Sequence, residues 1–215
     1  MAKTRVLIVD DHPLMRRGLC DMLATEPDLE VCAEADDIGK AHEQVRKAKP
    51  QLVIIDVSLP SGSGLDLAKQ IQALDGSIRM LFLSMHEDAV FAERALRAGA
   101  LGYINKSRPG NELLDAIRKV AHGEIALSQP MIDRLVRRGV STVRGPATGV
   151  ESLSDRELEV FELIGRGLSA RDIAERLSLS LKTVEAHREH IKTKLHLKTA
   201  AELSHRAILW SNSQS

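Results

Sequence analysis

The sequence predicts a doubly wound α/β domain on a five-stranded parallel sheet, followed by a small all-α domain. Three observations carry this. Short apolar, β-branched runs alternate with amphipathic stretches five times, the rhythm stops after Gly123, and from residue 151 onward only helical periodicity survives.

The first run, "RVLIV", is apolar through Val6, Leu7, Ile8 and Val9 and ends on two adjacent carboxylates, Asp10 and Asp11. "LVIID" and "RMLFLS" are also apolar nearly throughout, as expected of central parallel strands covered on both faces. "LEVCAEA" and "LGYIN" complete the strands. Helical spacing follows each strand, near residues 13–25, 37–48, 64–74, 88–98 and 110–121. Right-handed crossovers leave few ways to wind such a chain.

Residues 125–150 read as a linker with a short helix. "MIDRLVRRG" has helical spacing, whereas "STVRGPATGVES" is rich in Gly, Pro, Ser and Thr. The expected domains are therefore residues 1–124 and 151–215. In the second, Ser154 followed by Glu157 is a capping-box signature, Leu158, Phe161, Leu163 and Ile164 continue the helix, and Gly165 and Gly167 close it. Further helices are expected from Ser169 to Leu177, Leu181 to Leu195 and Thr199 to Trp210. The apolar face of the Leu181 helix takes Val184, Ile191, Leu195 and either Ala186 or His187. Its short serine-containing turn from the preceding helix makes a helix-turn-helix, whose second helix can enter a major groove.

Composition is less informative. In 215 residues, 30 Lys and Arg balance 30 Asp and Glu, so overall charge points to no nucleic-acid or membrane partner. Cys20 and Cys32 sit in apolar patterns and read as buried thiols of a reducing compartment. A charged start followed by an apolar signal core is absent, and no run approaches the roughly 18 apolar residues of a membrane span. A soluble, cytoplasmic protein is expected.

Ligands of open parallel sheets bind beyond the carboxyl ends of the strands. Those ends carry Asp10 and Asp11, Asp56 and Ser84, with Lys106 just after the last strand. Three carboxylates repel one another unless a cation offsets them, and hard oxygen donors with room for water favour Mg²⁺. Such an ion would neutralise a phosphoryl group while a carboxylate attacks phosphorus to give an acyl phosphate. Lys106 would then pair with a phosphoryl oxygen, and Ser84 would donate to another. The glycines of "DVSLPSGSGLDL" serve equally as turn formers or for close backbone approach, and they lack the Gly-Lys-Ser/Thr ending of a nucleotide-binding loop.

"VLIVDDHPLMRRGL", "LVIIDVSLPSGSGLDL", "LFLSMHED" and "GALGYINKS" resemble the flavodoxin-like receiver domain of two-component response regulators over residues 4–121. The resemblance implies Asp56 as phosphoacceptor and Mg²⁺ held by Asp10, Asp11, Asp56 and the main-chain carbonyl of Ser58. It also implies Ser84 as the switch hydroxyl, Lys106 as the phosphoryl contact and Tyr103 as the switch aromatic. Where family receivers often place a proline directly after the lysine, this chain has Ser107.

"LSDRELEVFELIGRGLSARDIAERLSLSLKTVEAHREHIKTKLHLK" resembles the LuxR-type helix-turn-helix over residues 152–198. The whole chain thus looks like a response regulator of the NarL/FixJ type, a phosphorylation-controlled transcription regulator. The resemblance implies a sensor histidine kinase and double-stranded DNA at two-fold sites as partners, and a homodimer. From residue 151, ten cations balance ten carboxylates, so DNA binding would rest on a local face that includes Lys182, Arg188, Lys192, Lys194 and Lys198. Lys182 and Thr183 open the recognition helix, where a helix N-terminus favours phosphate. Glu185, Ala186 and Glu189 stand at positions the family turns toward bases, with His187, Arg188 and Lys192 beside them. His187 and His190 lack the further ligands a tetrahedral zinc site needs. "TAAELSHRAILW" either caps the helical core or, as is usual in the family, makes a dimer contact.

Overall fold

The computed structural model describes residues 2–59, 62–84, 89–140 and 149–212. The chain divides into two compact units, Met1–Arg137 and Arg138–Ser215. The first unit opens with β1 (Thr4–Val9), α1 (Pro13–Ala24), β2 (Leu29–Ala35), α2 (Ile38–Ala48) and β3 (Leu52–Asp56). A small antiparallel hairpin, β4 (Ser58–Leu59) with β5 (Gly62–Ser63), leads into α3 (Gly64–Leu74) and β6 (Arg79–Ser84). Helix α4 (Ala89–Arg97), β7 (Gly102–Asn105) and α5 (Gly110–Ala121) complete the alternation. The expected start of α4 at residue 88 lies outside the described residues.

The main sheet is five-stranded, in the order β2-β1-β3-β6-β7, with every pairing parallel. The order reverses between β1 and β3, which makes the crevice beyond their carboxyl ends the natural ligand position. Continuous apolar runs and burial agree. Val6–Val9 of β1, all of β3 and Met80–Ser84 of β6 are buried, whereas the edge strand β2 is mostly half-exposed. The core on one sheet face joins Val6, Ile8, Ile54 and Leu81 to Leu19 and Leu23 of α1 and Ile117 and Val120 of α5. Phe82 and Phe91 are also fully buried.

The stretch read as a linker begins against this sheet. Ala126 N–H donates to Leu101 O and Ala126 O accepts from Tyr103 N–H, each at 2.9 Å, along the free edge of β7. The chain continues as α6 (Gln129–Val140). Residues 141–148, most of the Gly/Pro-rich part, lie outside the described residues.

In the second unit, a 3₁₀ turn at Gly149–Ser152 precedes α7 (Asp155–Gly165), α8 (Ala170–Arg176), α9 (Leu181–Lys194) and α10 (Ala200–Asn212). The capping box read from sequence forms at Ser154 and Glu157, and a second, reciprocal one joins Ser169 to Asp172. Leu158, Phe161, Ile173, Val184, Ile191, Leu203 and Ala207 fill the interior. Gly165 does more than end a helix. A Cβ there would lie 2.6 Å from the carbonyl of Ala207, so its absence lets α7 approach α10. Phe161 meets Trp210 with ring centroids 5.5 Å apart, which ties α10 to the helical core.

Candidate functional site

The end of β1 delivers Asp10 and Asp11, and the chain turns at once into α1. Pro13 supplies the preset φ of a first helical turn, and His12 holds the extended N-cap conformation. Asp10 is anchored on both sides of its backbone: its N–H donates to Ala35 O at 3.1 Å, and its carbonyl accepts from Arg16 Nη1 at 2.5 Å. Asp56 ends β3 and Ser84 ends β6, both buried. Lys106 follows β7, and its N–H donates to Ser84 O at 2.7 Å, which locks the lysine loop to the neighbouring strand end.

These ends converge. Lys106 Nζ lies 2.6 Å from Asp56 Oδ2 and 2.7 Å from Asp10 Oδ2, with all three side chains at most 6% exposed. Burial works against the Lys106 ammonium, but the carboxylates of Asp56 and Asp10 outweigh it and raise its pKa. Burial pushes the Asp11 carboxyl up, with His12 opposing. Asp10, Asp11, His12 and Asp56 each present one donor atom within 4.8 Å of the others.

The donor set fits a hard cation. Asp10 Oδ2 and Asp11 Oδ1 are buried, with Lys106 Nζ 2.7 Å from the first and His12 Nδ1 2.8 Å from the second. Each carboxylate has further oxygen lone pairs with which to coordinate a cation. Lys106–Ser107 is a trans peptide, and Ser107 folds back on Asn105 through its N–H and hydroxyl at 2.7 and 2.6 Å. Tyr103 is fully buried beneath the Ala126 edge pairing. Ser58 opens the hairpin that follows the acceptor strand.

Two further residues belong to this site: His12, to which the sequence assigns no role, and Gly64, for which it leaves turn formation and close backbone approach open. His12 Nδ1 lies 2.8 Å from Asp11 Oδ1, 3.2 Å from Asp10 Oδ1 and 3.6 Å from Asp56 Oδ2. Asp56, then Asp11 and Asp10, raise its imidazole to about 9, while burial and Lys106 oppose this. The other is Gly64, whose N–H donates to Val57 O at 2.7 Å. A Cβ there would overlap the carbonyl oxygen of Asp56 and lie 3.0 Å from its carbon. "DDHP" held the first signal; the second needed the loop's path.

On the helical unit, Ser180 Oγ caps α9 by accepting from Thr183 N–H at 3.0 Å. Val184 and Ile191 point inward, Lys182, Glu185, Ala186 and Glu189 are exposed, and Arg188 and Lys192 are half-buried. Of the two candidates for the inward position, His187 is the more buried, with Nδ1 enclosed and lacking a hydrogen bond. Burial, then Arg156, holds its pKa down. Arg188 pairs with Glu185 at 3.7 Å and Lys192 with Glu189 at 2.9 Å. Lys194 turns to Glu157 of α7 at 2.6 Å, bracing the helices, and Lys198 N–H is bound by Glu202 at 2.7 Å. Among the described residues, no helix is long and apolar enough to cross a membrane.

The parallel sheet with its carboxylate edge defines a receiver, and comparison with known proteins agrees. The model of the response regulator receiver domain matches residues 6–118, and that of the bacterial regulatory proteins of the luxR family matches residues 151–207. The oxygen regulatory protein NreC of Staphylococcus haemolyticus is 39% identical over 204 residues, covering 93% of this chain and 94% of that protein. A LuxR-family two-component response regulator from Aurantimonas sp. SI85-9A1 shares 34% identity over 65% of this chain and 100% of its own, with a TM-score of 0.60. RcsB from Salmonella enterica serovar Typhimurium, bound to promoter rprA in the presence of phosphomimetic BeF₃⁻, shares the fold at a TM-score of 0.63. Its identity is 23%, over 96% of this chain and 98% of that one. The chain belongs to the two-component response regulators that join a receiver to a LuxR-type DNA-binding domain. More particularly, it is a phosphorylation-controlled transcription regulator.

Proposed function

We propose that Asp56 accepts a phosphoryl group from a sensor histidine kinase and that the resulting acyl phosphate controls DNA binding by α9. The observation that carries this is the buried meeting of Asp10, Asp56 and Lys106 at one sheet edge, with Lys106 Nζ 2.6 Å from the acceptor carboxylate. In the transfer, a carboxylate oxygen of Asp56 forms the new O–P bond as the N–P bond of the kinase's phosphohistidine breaks, and the imidazole nitrogen keeps the electron pair. Lys106 then follows the negative charge onto a phosphoryl oxygen. Asp10, Asp11, Asp56 and the Ser58 carbonyl would hold Mg²⁺, which when bound neutralises phosphoryl charge. Loss of the phosphoryl group to water at the same carboxylate returns the receiver to its starting state.

Ser84 at the end of β6 would donate to the phosphoryl group, and Tyr103 on the adjacent strand would report the change. This is a local electrostatic event biasing a two-state element. Its output is pairing of the chain into a homodimer on two-fold double-stranded DNA. Lys182 and Thr183, at the capped start of α9, suit a phosphate. Glu185, Ala186, Arg188 and Glu189 suit base edges or the adjoining backbone, with Lys192 and Lys198 flanking. His187 and Lys194, committed to the interior and to Glu157, would act by orienting α9. The site of action is the cytoplasm.

The test is intact-mass analysis after treatment with acetyl phosphate and Mg²⁺. The native chain should gain a phosphoryl group, and Asp56→Asn should gain none. Equal labelling of that variant would refute the assignment.

A further inference from the structure

His12 Nδ1 stands where one oxygen from each of Asp10, Asp11 and Asp56 converges, at 3.2, 2.8 and 3.6 Å. These are the carboxylates assigned above to the divalent ion, and a shared cation takes the point at which their oxygens meet. We infer that the His12 ring and the divalent ion compete for one position, so that the ion enters the phosphoacceptor site by displacing the ring. This rests on the reading of the pocket as a Mg²⁺ site.

Two features decide displacement over coordination. Mg²⁺ demands oxygen donors and retains several waters, whereas imidazole suits zinc, copper, iron and nickel. The ring is also free to leave, because its side chain is 55% exposed while the backbone around it is fixed. His12 N–H donates to Asp10 Oδ1 at 2.8 Å, and Pro13 starts the helix, so only the side chain has to swing into solvent. Lys106, buried against Asp10 and Asp56, has no such exit and stays as the phosphoryl partner. The pocket therefore holds two basic side chains with different duties: Lys106 stays, and the His12 ring is removable.

Calorimetric titration of Mg²⁺ into the full-length protein, at fixed pH and ionic strength, tests this. Half-exposed ion pairs contribute at most about 1 kcal/mol, so His12→Ala should bind Mg²⁺ about three- to fivefold more tightly than the native chain. His12→Asn supplies a good N-cap residue and carries the same expectation should alanine disturb the start of α1. Asp10→Asn should bind weakly or not at all. Unchanged or weakened binding in both His12 variants, with Asp10→Asn still defective, overturns the competition and leaves the metal site standing. If the native chain takes up no Mg²⁺, or Asp10→Asn binds as well as the native chain, the site and the inference fall together.

Discussion

Replacing Gly64 by alanine should damage both the stability and the phosphorylation of the receiver, although on helix propensity alone the change would help. Gly64 begins α3, and an added Cβ would overlap Asp56 O and lie 3.0 Å from both Asp56 C and Ile55 Cγ2, where about 3.5–4.0 Å is comfortable. The obstructing atoms are the backbone of the acceptor residue and a buried branched side chain, so no rotamer change relieves the overlap. Overpacking of this kind costs about 1–3 kcal/mol, against a propensity gain of roughly 0.5–1 kcal/mol for removing glycine from a helix. The steric cost wins at the centre of these ranges, which leaves a net loss of about 1 kcal/mol and at most about 2.5 kcal/mol. Each kcal/mol lowers the melting midpoint of a domain this size by roughly 3–6 °C. Because the displaced group is Asp56 itself, labelling by acetyl phosphate should slow beyond what the stability loss explains. Gly18→Ala is the matched control: Gly18 lies within α1 with nothing within 4 Å of its added Cβ, and it should gain roughly 0.5–1 kcal/mol. Urea unfolding and mass-resolved labelling of both variants decide the matter. If Gly64→Ala is as stable as Gly18→Ala and labels at the native rate, the close-approach argument is wrong.

Lys106→Met leaves two buried carboxylates facing each other, and breaking a buried pair costs about 3–5 kcal/mol. Thermal melts should show that loss, and Mg²⁺ should restore part of it by replacing the missing charge; no Mg²⁺ response would count against the shared pocket. In the helical unit, burial raises the Glu157 carboxyl, but Lys194 and the Ser154 cap outweigh it and hold its pKa below the ordinary 4.5. A depressed folded-state pKa contributes stability above pH 4.5 that is lost as pH falls through the folded value. Urea midpoints of Lys194→Met should therefore fall less steeply on the acid limb than those of the native chain. At neutral pH the half-exposed pair should be worth about 1 kcal/mol or less. For DNA, Lys182→Ala should weaken binding alike on all sequences and reduce the salt slope by about 1, as for a lost phosphate contact; a sequence-selective loss in gel-shift titrations would assign Lys182 to a base instead.

Much of this architecture was legible in the amino-acid order. Strand ends were readable because β1, β3 and β6 are buried on both faces, so each apolar run continues until the chain leaves the core, at Asp10, Asp56 and Ser84. The capping box at Ser154 was readable because its two hydrogen bonds are local, spanning three residues. Less local features were not. The pairing of Ala126 with β7 uses backbone groups alone, so no side-chain pattern announces it. Gly64 and Gly62 looked alike in the loop, and only the path of the chain past Asp56 separates them. On α9, Ala186 and His187 are interchangeable by periodicity; the packing of α9 against α7 half-buries the histidine and leaves the alanine exposed.

The class of each unit, the order of elements and the acids carried at the sheet's carboxyl edge follow from residues close together along the chain, because hydrophobic period and strand-end chemistry are properties of neighbours. Which of those charges pair with one another follows from folding alone. Lys106 reaches across to Asp10 and Asp56, Lys194 is drawn to Glu157, and His12 sits among three carboxylates, since charges far apart in sequence feel one another only when folding brings them within a few ångströms in a medium that screens poorly.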